Sequence, residues 1–82
     1  MATSALQLLG ERIRARRLER GLTQERLAEM SDLHNNHISA IERGITNPTF
    51  LALLRIARAL DTPITDILSP FTLASMRRLP LN

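Results

Sequence analysis

Two glycines frame this chain and limit what it can fold into. Gly21 and Gly44 each follow a run whose apolar residues recur at helical spacing, and glycine is the residue best suited to the left-handed turn that stops a helix. Between them lies TQERLAEMSDLHNNHISAIER, which has room for two short helices and one tight turn.

The flanking segments are helical as well. Ser4 and Gln7 have the spacing of a capping box, and Leu6, Leu9 and Ile13 recur behind them, which predicts a first helix from about Ser4 to Arg20. Thr23 is the next N-cap, with Leu27 and Ala28 on the inward face of a second helix ending between Met30 and Asp32. A third runs from about His34 to Arg43, its buried face marked by Ile38 and Ile41. Asn47 before Pro48 predicts a cap and a first-turn proline for a fourth helix. Its inward residues are expected to be Phe50, Leu51, Leu53, Leu54, Ala57 and Leu60, with Arg55 and Arg58 outward. Thr62 and Pro63 repeat that start signal for a short fifth helix carrying Ile64, Ile67 and Leu68. Ser69 and Pro70 then break the pattern, and FTLASMRRLPLN has room for a turn or two of helix around Leu73 and Met76.

With 82 residues and no cysteine, the chain must hold one domain together by packing alone. Hydrophobic residues make up 44% of it and aromatics only 2%, so Leu, Ile and Ala dominate, which favours aliphatic helix packing over a sheet. The expected fold is all-α and compact, with five helices in a domain spanning 1–68 and a tail over 69–82. No apolar run approaches the roughly 20 residues of a membrane span. The start of the chain lacks a basic stretch leading into an apolar one with a cleavage site, so the cytoplasm is the default expectation.

Net charge is +3, and all eleven basic residues are arginine. Arg12, Arg14, Arg16, Arg17 and Arg20 are crowded together, which suits either a phosphate-lined partner or a solvated helix face. Arg17 stands apart from the others. At about 100° per residue it falls beside Leu6 and Ile13 in the apolar stripe, and Glu42 falls on the face of Ile38 and Ile41. A lone buried charge is severely unfavourable, so two opposite charges on inward faces predict an Arg17–Glu42 salt bridge that orients the third helix.

The outward arc of that third helix carries Asn36, Ser39, Ala40 and Arg43, with His37 at its flank and Asn35 in the first turn. Asn and Ser are poor interior helix formers, and their presence suggests another use. Asn can bond adenine through N6 and N7, Ser can donate or accept, and Ala lets a helix approach a thymine methyl. A plain polar surface is the competing reading.

Residues 23–44 resemble the helix-turn-helix of the phage-repressor and Cro-like (XRE) transcription regulators, and the resemblance covers roughly residues 6 to 68. It implies a lambda-repressor-like fold, with bases read by Asn35, Asn36, His37 and Ala40 and with Ser39 nearby. Gln24 matches a position the family uses for a phosphate, at a helix N-terminus whose free N–H groups suit an anion. Arg43, Thr46, Asn47, Arg12 and Arg16 are further phosphate candidates, the alternative being exposed side chains without a partner. The family also commonly ties its first helix to the recognition helix through an Arg and a Glu at the positions of Arg17 and Glu42. Two positions depart from the pattern. His34 stands where a Ser or Thr cap is usual, and Asp32 where a turn glycine is common.

The function implied is sequence-specific binding of double-stranded DNA by a transcriptional regulator, without a cofactor. One helix reads too few base pairs to discriminate in a genome, whereas a two-fold dimer places two helices about 34 Å apart on a palindromic operator. The expected dimer contacts are Ile64, Ile67 and Leu68, joined by Phe71, Leu73, Met76 and Leu79 of the tail. Those residues could equally complete the monomer's own core. The alternative function is a protein-interaction module, such as an antitoxin subunit holding a toxin partner. An enzyme is not expected, since no second carboxylate or histidine is spaced to share acid–base work with Glu42. Nor is a metal, because His34 and His37 lack a third ligand.

Overall fold

The computed structural model describes residues 3–81. It contains α1 (Ala5–Glu19), α2 (Gln24–Ser31), α3 (Asn35–Glu42), α4 (Phe50–Ala59), α5 (Ile64–Ile67) and α6 (Leu73–Arg78). The class is all-α, but the helices among the described residues number six and not five. Thr72 supplies the extra start: its side chain accepts from the Ser75 N–H at 3.1 Å, so the chain re-enters a helix soon after the Ser69–Pro70 break.

Local capping explains most of the boundaries. Ser4 and Gln7 form a reciprocal capping box, the Gln7 N–H donating to Ser4 Oγ at 3.2 Å and the Ser4 N–H to Gln7 Oε1 at 3.0 Å. Thr23 Oγ1 accepts from the Arg26 N–H at 3.0 Å to open α2. At the end of α2, Asp32 takes the left-handed conformation with φ 55°. His34 then caps α3 through its ring, Nδ1 accepting from the Asn36 N–H at 3.3 Å, and so does the work of the usual hydroxyl.

The start of α4 differs from the expectation. Thr49, not Asn47, is the N-cap, accepting from the Ala52 N–H at 3.1 Å, and Pro48 is buried in the turn before the helix. The inward face differs too. Phe50 and Leu51 are exposed, at 65% and 64%, while Ala52, Ile56, Ala57 and Leu60 are buried and Leu53 and Leu54 are half-buried. On the wheel the buried set fills one arc, and the crowded FLALL run is too wide for all of it to face one neighbour. Thr49→Ala is therefore expected to lower stability by about 1 kcal/mol, and Asn47→Ala by less than about 0.5 kcal/mol, in urea denaturation. Equal losses would return the cap to Asn47.

The start of α5 is a second correction. Thr62 does not cap it: Pro63 precedes the helix without a side-chain cap bond, and Thr62 is buried with its hydroxyl donating to the Leu60 carbonyl at 2.9 Å.

The core is one cluster of Leu9, Ile13, Leu27, Ala28, Ile38, Ile41, Ile56, Ala57, Leu60 and Ile67. In it α3 packs against both α1 and α2, while α4 packs on α2 and α5 on α1 and α4. The recognition candidate is thus held from behind by two helices. Among the described residues no helix is long and apolar enough to cross a membrane.

Candidate nucleic-acid interface

The α3 helix buries Ile38, Ile41 and Glu42 and leaves Asn36 and Arg43 exposed, with Asn35, His37, Ser39 and Ala40 half-buried. The five candidate base readers therefore share one helix whose apolar side is committed to the core. Arg43 lies along the same helix, its Nε donating to the Ser39 carbonyl at 3.4 Å. Asn35 Oδ1 is enclosed without a hydrogen-bond partner, an arrangement that disfavours this side-chain position by about 1–3 kcal/mol and leaves the amide a reason to turn outward.

Behind this face Arg17 and Glu42 form a buried fork, with Arg17 Nε to Glu42 Oε2 at 2.7 Å and Nη2 to Oε1 at 3.0 Å. The exposures of the two side chains are 9% and 1%. The remaining guanidinium nitrogen, Nη1, donates to the Leu22 carbonyl at 2.8 Å, so the arginine ties α3 to the α1–α2 turn as well. Gln24 joins the same cluster, its Nε2 donating to Glu42 Oε1 at 3.1 Å. One amide hydrogen is used there. The other remains for an outside acceptor at the N-terminus of α2, so the carboxylate that anchors α3 also orients Gln24.

Thr46 and Asn47 lie in the α3–α4 turn, half-buried and exposed respectively. That turn is pinned to the start of α1. Gly44 has φ +73°, and a Cβ there would fall 2.6 Å from Gln7 Cα. A side chain at position 44 would push the turn away from α1.

Arg12 and Arg16, the other phosphate candidates, are half-buried and bonded within the protomer. Arg12 Nη2 donates to the Asp66 carbonyl at 2.8 Å, and Arg16 Nε donates to Thr62 Oγ1 at 2.8 Å, so both reach toward α5. Their acceptors are more than forty residues away in the chain, and no local pattern announces them. Of the expected dimer residues, Ile67 is 2% exposed and belongs to the protomer's own core. A short α5 has one face to spend on α1 and α4, and Ile67 occupies it. Ile64, Leu68 and Phe71 are half-buried against that core, whereas Leu73 and Met76 are exposed at 61% and 44%. Phe50 and Leu51, assigned inward from their periodicity, are outward apolar residues that reading missed. Five consecutive apolar residues, too many for one stripe, were the available signal.

Among the described residues no three of His, Cys, Asp or Glu stand together as metal ligands. His34 serves as a helix cap instead.

A short helix with a polar outward arc, set across a left-handed turn from a partner helix and braced by a buried ion pair, defines a helix-turn-helix protein. The chain belongs to that family, whose helix-turn-helix model matches residues 13–67. It is 38% identical over 63 residues to the control protein C.SmaI of Serratia marcescens, covering 77% of this chain and 75% of that one. It is 36% identical over 74 residues to the immunity repressor protein of Bacillus phage phi105, covering 90% of this chain and 51% of the repressor. Its fold also resembles the restriction-modification controller protein C.Esp1396I. A single-substitution variant of that protein superimposes with a TM-score of 0.78 at 31% identity, covering 94% of this chain and 98% of that one. The C.Esp1396I tetramer in complex with its natural 35 base-pair operator gives a TM-score of 0.73 at 35% identity, covering 79% and 86%.

Proposed function

We propose that this chain is a sequence-specific DNA-binding transcriptional regulator, acting in the cytoplasm as a homodimer on a two-fold symmetric operator and catalysing no reaction. The observation that carries this reading is the outward Asn36 face of α3, backed by the Arg17–Glu42 fork. Asn36 and Asn35 lie in the first helical turn, where a helix entering a major groove end-first meets base edges. His37 shares that turn, and Ser39 and Ala40 extend the contact into the next, Ala40 being short enough to let the backbone approach. Gln24, Arg43, Thr46 and Asn47 surround that face with donors for phosphates, which set register and affinity without naming a base. Dimer contacts are assigned to Ile64, Leu68 and Phe71 at α5, with Leu73 and Met76 from the tail. The likeness to the restriction-modification controller protein C.Esp1396I supports a restriction-modification pair as the genes controlled.

Selection of bound fragments from randomised duplex DNA tests the reading. Asn36→Ala is expected to relax preference at one position in each half-site, worth about 1–3 kcal/mol between the best and wrong base. Gln24→Ala is expected to weaken all sequences alike. An unchanged selected motif for Asn36→Ala would remove it from the base readers. A protein-interaction module with DNA binding lost predicts no enriched motif, and affinity that does not fall with salt at about 0.9 logarithmic units per phosphate contact.

A further inference from the structure

Arg12 and Arg16 of α1 and Arg20, the residue that caps its C-terminus, are spaced four apart and all reach one neighbouring segment. Arg20 Nη2 donates to the Asp61 carbonyl at 3.0 Å, at the end of α4 where Asp61 adopts the left-handed φ of 50°. Arg16 Nε donates to Thr62 Oγ1 at 2.8 Å while its Nη1 pairs with Glu19 Oε2 at 2.7 Å. Arg12 Nη2 donates to the Asp66 carbonyl at 2.8 Å and to Ser69 Oγ at 3.4 Å, and its Nε reaches the Ile67 carbonyl at 3.5 Å. Residues 61 to 69 are thereby held at both ends and near the middle by one helix face.

The segment needs such support. A helix as short as Ile64–Ile67 cannot persist by itself, because nucleation costs more than one turn of hydrogen bonds returns. It has no side-chain N-cap. Of its apolar residues Ile67 is deeply buried, while Ile64 and Leu68 are only half-buried against the core. Carbonyls at a helix C-terminus lack intrahelical donors, and Arg12 supplies donors to two of them.

We propose that Arg12, Arg16 and Arg20 form a ladder that positions α5 for dimerisation, with Arg12 the decisive rung, so that α1 sets the geometry of the dimer face. The proposal rests on the assignment of Ile64 and Leu68 to that face. If α5 is correctly seated in a fraction f of free protomers, and both protomers must be competent, the apparent dimer dissociation constant scales as 1/f². Loosening α5 until f is about 0.3 then weakens the dimer about tenfold. The ladder residues spend their donors on carbonyls, hydroxyls and, for Arg16, the Glu19 carboxylate, whereas among the described residues Arg14, Arg55, Arg58, Arg77 and Arg78 make no side-chain hydrogen bond.

Sedimentation equilibrium on the full chain, together with amide exchange, tests this. Arg12→Ala is expected to raise the dimer dissociation constant at least tenfold and to speed exchange at the Leu68 and Phe71 amides, while the Ile41 amide of α3 keeps its protection. Arg12→Lys, which retains a cation able to reach the same carbonyls, is expected to recover most of the affinity. Ile64→Glu serves as the control for the dimer face itself. If Ile64→Glu leaves the dimer intact, the α5 face is wrong and the ladder proposal falls with it. If Ile64→Glu breaks the dimer and Arg12→Ala leaves its constant unchanged, the ladder alone is overturned. Weaker DNA binding by Arg12→Ala with dimerisation unaltered also overturns it, and returns Arg12 to the phosphate contacts.

Discussion

Arg17→Met is expected to destabilise the protein by about 3–5 kcal/mol, and Glu42→Ala by a similar or slightly smaller amount. A domain of this size has a total stability of about 4–12 kcal/mol, so either change removes a large share of it. The order follows from exposure. Glu42 is 1% exposed and accepts three N–H bonds, two from Arg17 and one from Gln24, so removal of Arg17 strands a carboxylate with one donor. Arg17, at 9% exposure, keeps its bond to the Leu22 carbonyl and has a long stem that can shift its head toward water when Glu42 is lost. Replacing both at once, Arg17→Met with Glu42→Leu, is expected to recover most of the loss, since an apolar pair of similar volume leaves no uncompensated charge. Urea denaturation of the three variants checks this. Additive losses in the double variant would show that the fork is not the unit of stability. DNA affinity should still fall in the double variant, because Gln24 loses the carboxylate that orients its amide.

Gly10→Ala is expected to be destabilising by at least about 2 kcal/mol, against the usual sign. In an open helix interior that change favours the helix by about 1 kcal/mol. Here the added Cβ would lie 2.4 Å from the Ile41 carbonyl oxygen and 2.5 Å from that of Glu42. Both are backbone atoms of α3 and cannot swing aside, so α1 and α3 must separate. The cost is not confined to packing. Parting the helices stretches the Arg17–Glu42 fork and tilts α3, so operator affinity should fall in protein that remains folded. Gly10→Val, with more volume at the same point, is expected to leave little folded protein at 25 °C. A thermal unfolding midpoint for Gly10→Ala at or above that of the parent would show that the crossing has room for a methyl group despite the 2.4 Å approach.

Gly10 illustrates what the sequence hides. In one dimension it is a weak spot in a helix, and only the crossing of α1 over the end of α3 explains it. The fork, by contrast, was legible, because a charge of either sign standing in an apolar stripe demands a partner and only one candidate of each sign did so. Local caps at Ser4 and Thr23 were legible for a similar reason, each being a bond between residues three apart. The cap of α4 was misread because Asn47–Pro48 and Thr49 both satisfy helix-start chemistry, and burial of Pro48 decides between them. Arg12 and Arg16 look like any exposed arginine on a basic helix. Their acceptors on the α5 segment are invisible until the chain has folded back on itself.

On this reading α3 enters the major groove, and does so twice per dimer. Methylation interference on the selected operator tests it most directly, because a methyl on guanine N7 projects into the major groove and one on adenine N3 into the minor groove. N7 methylation is expected to block binding in two patches about 10 base pairs apart, centre to centre, related by two-fold symmetry. N3 methylation between the patches is expected to be tolerated. Interference confined to adenine N3, or a single unpaired patch, would contradict this reading.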